Sequence, residues 1–386
     1  MNHLNLILCF IDFTIKFIAE NLAMSLIKRI GFFTAFILPA LTIAGVYLDG
    51  YYQLATIVFV FILIPIVDYW VGLDTSNINK GIVKEEAERF YYRFVTYLWT
   101  YIQVIFLLWC VWVIVEGRIT SVFDWTCFIL STGLITGGIG ITVAHELGHK
   151  QPAIEKLYSQ ILLMTVCYMH FYIEHNRGHH VYVATPHDPA TAQKDENFYQ
   201  FWFKSVFTGY THAWHLENKR LIDNQHNFFS IYNRMLWYVV LPIVFCLVLT
   251  GFAYIISNQF IIEIPLFFFG QSVVAFTLLE LVNYLEHYGI ERKALPNGRF
   301  EPVNPLHSWN ASHLISNFFL FQLQRHSDHH AFAYKRYQVL EHYDESPQLP
   351  FGYPTMILIA LVPPLWFNLM NNKLESWQSK SKVSYQ

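Results

Sequence analysis

Apolar residues in this chain fall in long runs rather than in alternation or in one-sided helical stripes. A bilayer core takes about 20 apolar residues of helix to cross. Six runs approach or reach that length, at roughly 31–48, 53–72, 95–115, 122–144, 236–257 and 260–285. They pair into three hairpins through the short turns "DGYYQ", "EGRITS" and "SNQF". A seventh apolar stretch, 353–372, holds Pro354, Pro363 and Pro364. Proline lacks the helical N–H and clashes with the preceding turn, so this stretch reads as a re-entrant or packed segment. The pattern predicts an all-α membrane protein with six transmembrane helices.

Charge orients the predicted spans. The three short turns contain one basic residue, Arg118, whereas the 72–94 loop holds Lys80, Lys84, Arg89 and Arg93, and Lys28 and Arg29 precede the first span. By the positive-inside rule the turns face out. Both termini and a helical cap built from 145–235 and 286–386 then face the cytoplasm. Residues 24–386 read as a single membrane domain. Residues 1–23 read as an N-terminal extension or an interfacial helix, since Asp12, Lys16 and Glu20 break their apolar run and no basic leader precedes it. Met24 offers a second start.

Composition agrees: 54% of residues are hydrophobic and mean hydropathy is +0.32, too apolar for an ordinary soluble enzyme. A net charge of −3 gives no basic surface for nucleic acid. The cysteines (Cys9, Cys110, Cys127, Cys167 and Cys246) form no C-x-x-C pair, which removes a disulfide framework, a zinc ribbon or a thiolate iron site. Each reads as a small buried hydrophobe.

Against this background the 18 histidines stand out. All except His3 fall at or beyond the predicted cytoplasmic ends of the fourth and sixth spans. "HELGH" supplies His145 and His149, and "EHNRGHH" supplies His175, His179 and His180. "NYLEHYG" supplies His287, and "QRHSDHH" supplies His326, His329 and His330. Residues three or four apart share a helix face, so His145 and His149 can aim at one point. Adjacent histidines diverge by about 100° around a helix, so His179 and His180, or His329 and His330, reach two neighbouring ions more easily than one. Imidazole suits iron, zinc, copper or nickel, and nine imidazoles are too many for one four-coordinate zinc. His3, His170, His212, His215, His226 and His342 read as surface or hydrogen-bonded histidines. His307 and His313, in "LHSWNASH", are further candidates.

These motifs, in this order, resemble the integral-membrane alkane 1-monooxygenases. "ATPHDPATA" (184–192) and "HSWNASH" (307–313) add to the resemblance, which runs from about residue 30 to the C-terminus. The histidine boxes alone are shared with membrane desaturases, fatty-acid hydroxylases and xylene-type monooxygenases; "NYLEHYG", with Glu286, is more specific. The resemblance implies a di-iron centre on His145, His149, His175, His179, His180, His287, His326, His329 and His330. It also implies terminal hydroxylation of n-alkanes with O2 in a bacterial inner membrane, with electrons from rubredoxin and its reductase. The chain departs from the family pattern at Asp195-Glu196-Asn197 and at Leu306, neither of which touches those nine positions.

Carboxylates that orient imidazole ligands are expected beside such a centre, and Glu146, Glu174, Asp188, Glu286 and Asp328 are the candidates. Arg177, Arg292, Lys293, Arg299, Arg325, Lys335 and Arg336 are candidates for a docking face for an acidic electron donor. Three rival readings stand beside this one. A desaturase would use the same boxes. An intramembrane zinc protease would use H-E-x-x-H with Glu146 as base, leaving seven histidines without a role. A metal transporter would place its site near the bilayer midplane rather than at one end.

Overall fold

The computed structural model describes residues 26–383; the reading of 1–23 as an extension or interfacial helix lies outside them. Six helices are long and apolar enough to cross a membrane: α1 (Leu26–Leu48), α2 (Gly50–Val71), α3 (Phe90–Val115, preceded by the short helix Val83–Glu88), α4 (Val122–Gly148), α7 (Arg234–Ser257) and α8 (Glu263–His287). Between and after them lie α5 (Ala153–Met164), α6 (Phe198–Asp223), α9 (His326–Ala331), α10 (Tyr353–Ala360) and α11 (Pro363–Val383). Among the described residues there is no strand, only isolated bridges such as Leu73 with His313.

The turns close as their residues require. Asp49 and Gly50 have positive φ between α1 and α2, Gly117 does so after α3, and Asn258 ends α7 in the left-handed region. Ser121 and Asp124 form a reciprocal capping box at the start of α4, satisfying N–H groups that a helix start leaves free. The third and fourth spans run past their expected ends. α3 begins at Phe90, and α4 continues through "HELG", because helix geometry persists beyond the apolar run when packing supports it.

α4 and α8 form the centre. The most apolar window of α4 is 83% buried, against 17% for α2 and 22% for α7, so α2 and α7 turn most of their surface outward. Glycines let the central pair approach: a Cβ on Gly137 would lie 2.6 Å from the Ala275 backbone, and one on Gly133 would meet Val274. Lipid is as apolar as leucine, so membrane helices associate through such close packing and through buried polar pairs. Thr136 donates to Gln271 at 2.7 Å, Gln271 donates to the Thr165 carbonyl at 2.9 Å, and Gln103 donates to the Thr165 hydroxyl at 2.7 Å. The turn after α5 is thereby fixed against α3 and α8.

The remaining segments gather at the end of the bundle where α4 and α8 carry His145 and His287. The basic loops gather there too: Lys28 pairs with Asp74, Arg29 with Glu86, and Arg325 donates to the carbonyls of Asp74 and Ser76. The proline-bearing stretch forms no span. Pro354 sits in the first turn of α10 and Pro363 opens α11. α10 packs against α8 and the middle of α2.

Candidate metal centre

Four pieces of chain bring the histidines together. His145 and His149 project from the last turn of α4. The segment Phe171–Tyr182 contributes His175, His179 and His180, α8 ends in His287, and α9 contributes His326, His329 and His330. All nine converge in two groups whose donor atoms lie within 4.8 Å of one another: His145, His149, His175, His180 and His329 in one, His179, His287, His326 and His330 in the other. Each adjacent pair divides between the groups, as the angle between neighbouring residues on a helix demands.

One local device was not legible in the sequence. His175–His179 forms a π-turn. In a regular α-helix residues five apart diverge by about 140°; the wider π-turn realigns them. His175 and His180 therefore share a group, their Nε2 atoms 3.0 Å apart. Gly178 makes room, since a Cβ there would sit 2.6 Å from the Glu174 carboxylate. A second π segment, Ile135–Ile141, lies one turn before His145 in α4.

The nitrogen spacings fit metal binding better than a hydrogen-bonded cluster. His175 Nε2 lies 3.0 Å from the Nε2 atoms of both His149 and His180, and His326 Nε2 lies 2.8 Å from His330 and 3.2 Å from His287. A single imidazole nitrogen has one proton or one lone pair and cannot serve two such neighbours along one axis. Two donors held at right angles about 2.1 Å from one ion are about 3 Å apart, which matches these separations. His329 Nε2 is buried with no hydrogen-bond partner, a cost unless something binds it. Burial holds His149, His175, His180, His326, His329 and His330 well below the usual imidazole pKa, so they stay neutral and ligand-competent. His179 differs: burial lowers it, but the Asp188 charge and hydrogen bond push it up overall.

The five candidate carboxylates part company. Asp188 accepts from His179 Nδ1 at 2.9 Å and is itself held by Thr191 and the Ala190 N–H. Glu286 lies 3.1 Å from His326 Nε2, and its other oxygen accepts from the Tyr353 hydroxyl at 2.7 Å. None of the other three hydrogen-bonds a histidine of the cluster, although Glu174 lines a cavity with His175 and His179. Glu146 pairs with Lys150 at 3.1 Å, and Asp328 binds Lys335, Tyr343 and the Glu341 N–H. Glu174 lies 2.9 Å from His212 Nδ1, without the alignment of a hydrogen bond. His307 is also elsewhere, bonded to Glu301, and His313 stands near Asp68. Of the cations considered for docking, Arg177, Lys335 and Arg336 pair with Glu217, Asp328 and Glu155, while Arg292 and Arg325 donate to backbone carbonyls. These five tie the fold together, whereas Lys293 and Arg299 of the same set are exposed. The described cysteines are free and mostly buried.

An apolar slot ends at the histidines. It is lined by Val60, Phe61 and Ile64 of α2, Leu134 to His145 of α4, Leu278 to Glu286 of α8, and Tyr353 to Ile357 of α10, with about 870 Å³ of empty space including its open end. His145, His175 and His326, drawn from both groups, border it. The sequence foretold apolar walls but not which helices supply them.

Comparison with known proteins agrees with this architecture. A family model described as fatty acid desaturase matches residues 119–360. Alkane 1-monooxygenase 2 of Pseudomonas aeruginosa is 44% identical over 82% of this chain and 83% of its own length. Alkane 1-monooxygenase 2 of Alcanivorax borkumensis is 39% identical over 83% of the chain and 82% of its own length. The hydroxylase component of a xylene/toluene monooxygenase of Pseudomonas putida is 27% identical over 65% of the chain. The identities to the alkane enzymes, 38–44% over more than four-fifths of the chain, show that the chain belongs to the alkane 1-monooxygenase family.

Proposed function

We propose that the protein hydroxylates the terminal carbon of n-alkanes with O2 at a centre of two iron ions held by the nine histidines. The observation that carries this reading is the meeting of an apolar slot with two groups of imidazole nitrogens at its inner end. A terminal C–H bond offers nothing for an acid, base or nucleophile, and iron supplies the redox chemistry that side chains lack.

The chain's own residues do the rest. Moving an alkane from lipid into Leu278, Leu279 and Val282 gains little hydrophobic energy, because it was never in water. The slot contributes orientation. A linear chain entering end-on presents its methyl group to the histidines, and the apolar walls exclude water from that end. Asp188 holds the His179 ring through Nδ1, leaving Nε2 for the ion. Tyr353 fixes Glu286 beside His326.

The reading further places the protein in a bacterial inner membrane with the histidine end cytoplasmic, on the strength of the basic loops at that end. The resemblance to the alkane enzymes implies electrons from rubredoxin and its reductase, and the chain holds no C-x-x-C pair of its own, which makes that donor a separate protein. The test is turnover of an n-alkane by the purified, iron-loaded protein in lipid nanodiscs with isotopically labelled O2, with and without rubredoxin. Labelled 1-alkanol that depends on rubredoxin is expected, with about two irons per chain. No labelled alcohol, with an acyl chain gaining a double bond instead, would overturn it in favour of a desaturase.

A further inference from the structure

α6 has three faces. Its protein face is the stripe Phe201, Ser205, Gly209, Ala213, Glu217 and Leu221, all buried. On another side of the helix, about 80–160° round from Gly209 in that stripe, stand Tyr199, Phe203, Phe207 and Tyr210; Phe203 is 61% and Phe207 60% exposed. The third side presents Gln200, Lys204, Thr208, Thr211, His215 and Asn218, which are polar. A helix packed on a soluble domain needs two faces, one inward and one wet. A third, aromatic and exposed, has no counterpart in water.

We propose that α6 lies in the headgroup layer of the membrane at the histidine end of the bundle, with Tyr199, Phe203, Phe207 and Tyr210 facing lipid. Two further observations identify lipid as the occupant. The aromatic face continues into the chain that follows: Phe229, Ile231 and Tyr232 are exposed immediately before α7, which turns Val240, Ile243 and Leu247 outward as a spanning helix does. α6 is also pinned to the span α8, Trp202 donating to Thr277 at 3.0 Å and Ser205 to Glu280 at 2.5 Å, so its axis stays beside the bundle. Aromatic residues concentrate in this layer because one part of the ring system is apolar and the other tolerates water.

The placement matters to the centre. α6 packs directly on the segment that carries His175, His179 and His180; His212 stands beside Glu174, and Glu217 pairs with Arg177. Seating α6 in lipid therefore fixes one wall of the histidine cluster relative to the membrane surface.

Nitroxide labels on single cysteines at Phe203, Phe207, Thr208 and His215, in the full chain in nanodiscs of mixed phosphatidylcholine and phosphatidylglycerol, test the proposal without reference to metal or turnover. All four side chains already face outward, so labelling disturbs little packing. Labels at 203 and 207 should relax at least threefold faster with O2, which concentrates in lipid, than with a water-soluble nickel chelate; 208 and 215 should show the reverse. Equal nickel access at all four positions would overturn the proposal. So would protection of 203 and 207 from both reagents, which would mean that a protein surface covers the face. A failure of alkane turnover would leave these accessibilities unchanged, so the two readings fail separately.

Discussion

At the scale of single residues, the site depends on which atom each carboxylate reaches. Asp188→Asn keeps an acceptor near His179 Nδ1 but removes the charge that favours the ligating tautomer. Outer partners of this kind are worth 10–100-fold in metal affinity, so iron retention during dialysis against a chelator should fall by about that factor while the fold persists. Glu146 behaves differently. Its side chain and that of Lys150 are 6% and 3% exposed, and Glu146 accepts from the Tyr337 N–H instead of from a cluster histidine. Removing one partner of a buried ion pair costs about 3–5 kcal/mol. Gln keeps a hydrogen bond, which places Glu146→Gln near the lower figure. Thermal denaturation should show the loss and iron content should stay unchanged. A zinc protease using Glu146 as its base would instead lose peptide cleavage with its stability intact.

At the scale of elements, the decisive feature is close approach of α4 and α8. Gly137→Ala places a methyl group 2.6 Å from the Ala275 backbone, which cannot rotate away as a side chain can. Overpacking of this kind costs about 1–3 kcal/mol, and a lowered unfolding temperature in detergent is the expected result. Gly251→Ala is the control, since no atom lies within 4 Å of the added carbon and alanine favours the helix. The π-turn at His175–His179 belongs to this scale as well. Histidine spacing read on a regular helix pairs His175 with His179, four residues on. The structure pairs His175 with His180, because one extra residue in the turn rotates every following side chain.

At the scale of the molecule, function follows from where the slot ends and how wide it is. Gly138 lies on its wall, and an added Cβ would meet only Leu278 Cδ2, at 3.4 Å. Gly138→Phe should therefore fill part of the slot rather than part the helices. The 1-alkanol yield across a series of n-alkanes should drop most for the longest chains, at unchanged iron content. An equal loss at every length would show that the ring has disturbed the histidines instead. The π segments of α2 and α4 both line this slot, so widened turns shape the cavity as well as the histidine cluster.

Much was settled by the sequence alone. Six spans follow from the lengths of the apolar runs, because hydrocarbon tolerates only helices that satisfy their own backbone. The histidine motifs identified the nine residues that converge, since spacing and side-chain chemistry are local properties. The division of those nine into five and four, the pairing of Glu146 with Lys150 and of Asp328 with Lys335 instead of with histidines, and the use of docking candidates such as Arg325 as internal ties were decided only by tertiary packing. A side chain's partner depends on what distant segments bring within hydrogen-bond reach. Asp188 and Asp328 look alike along the chain, yet one faces His179 and the other faces Lys335 across a fold that no local pattern encodes.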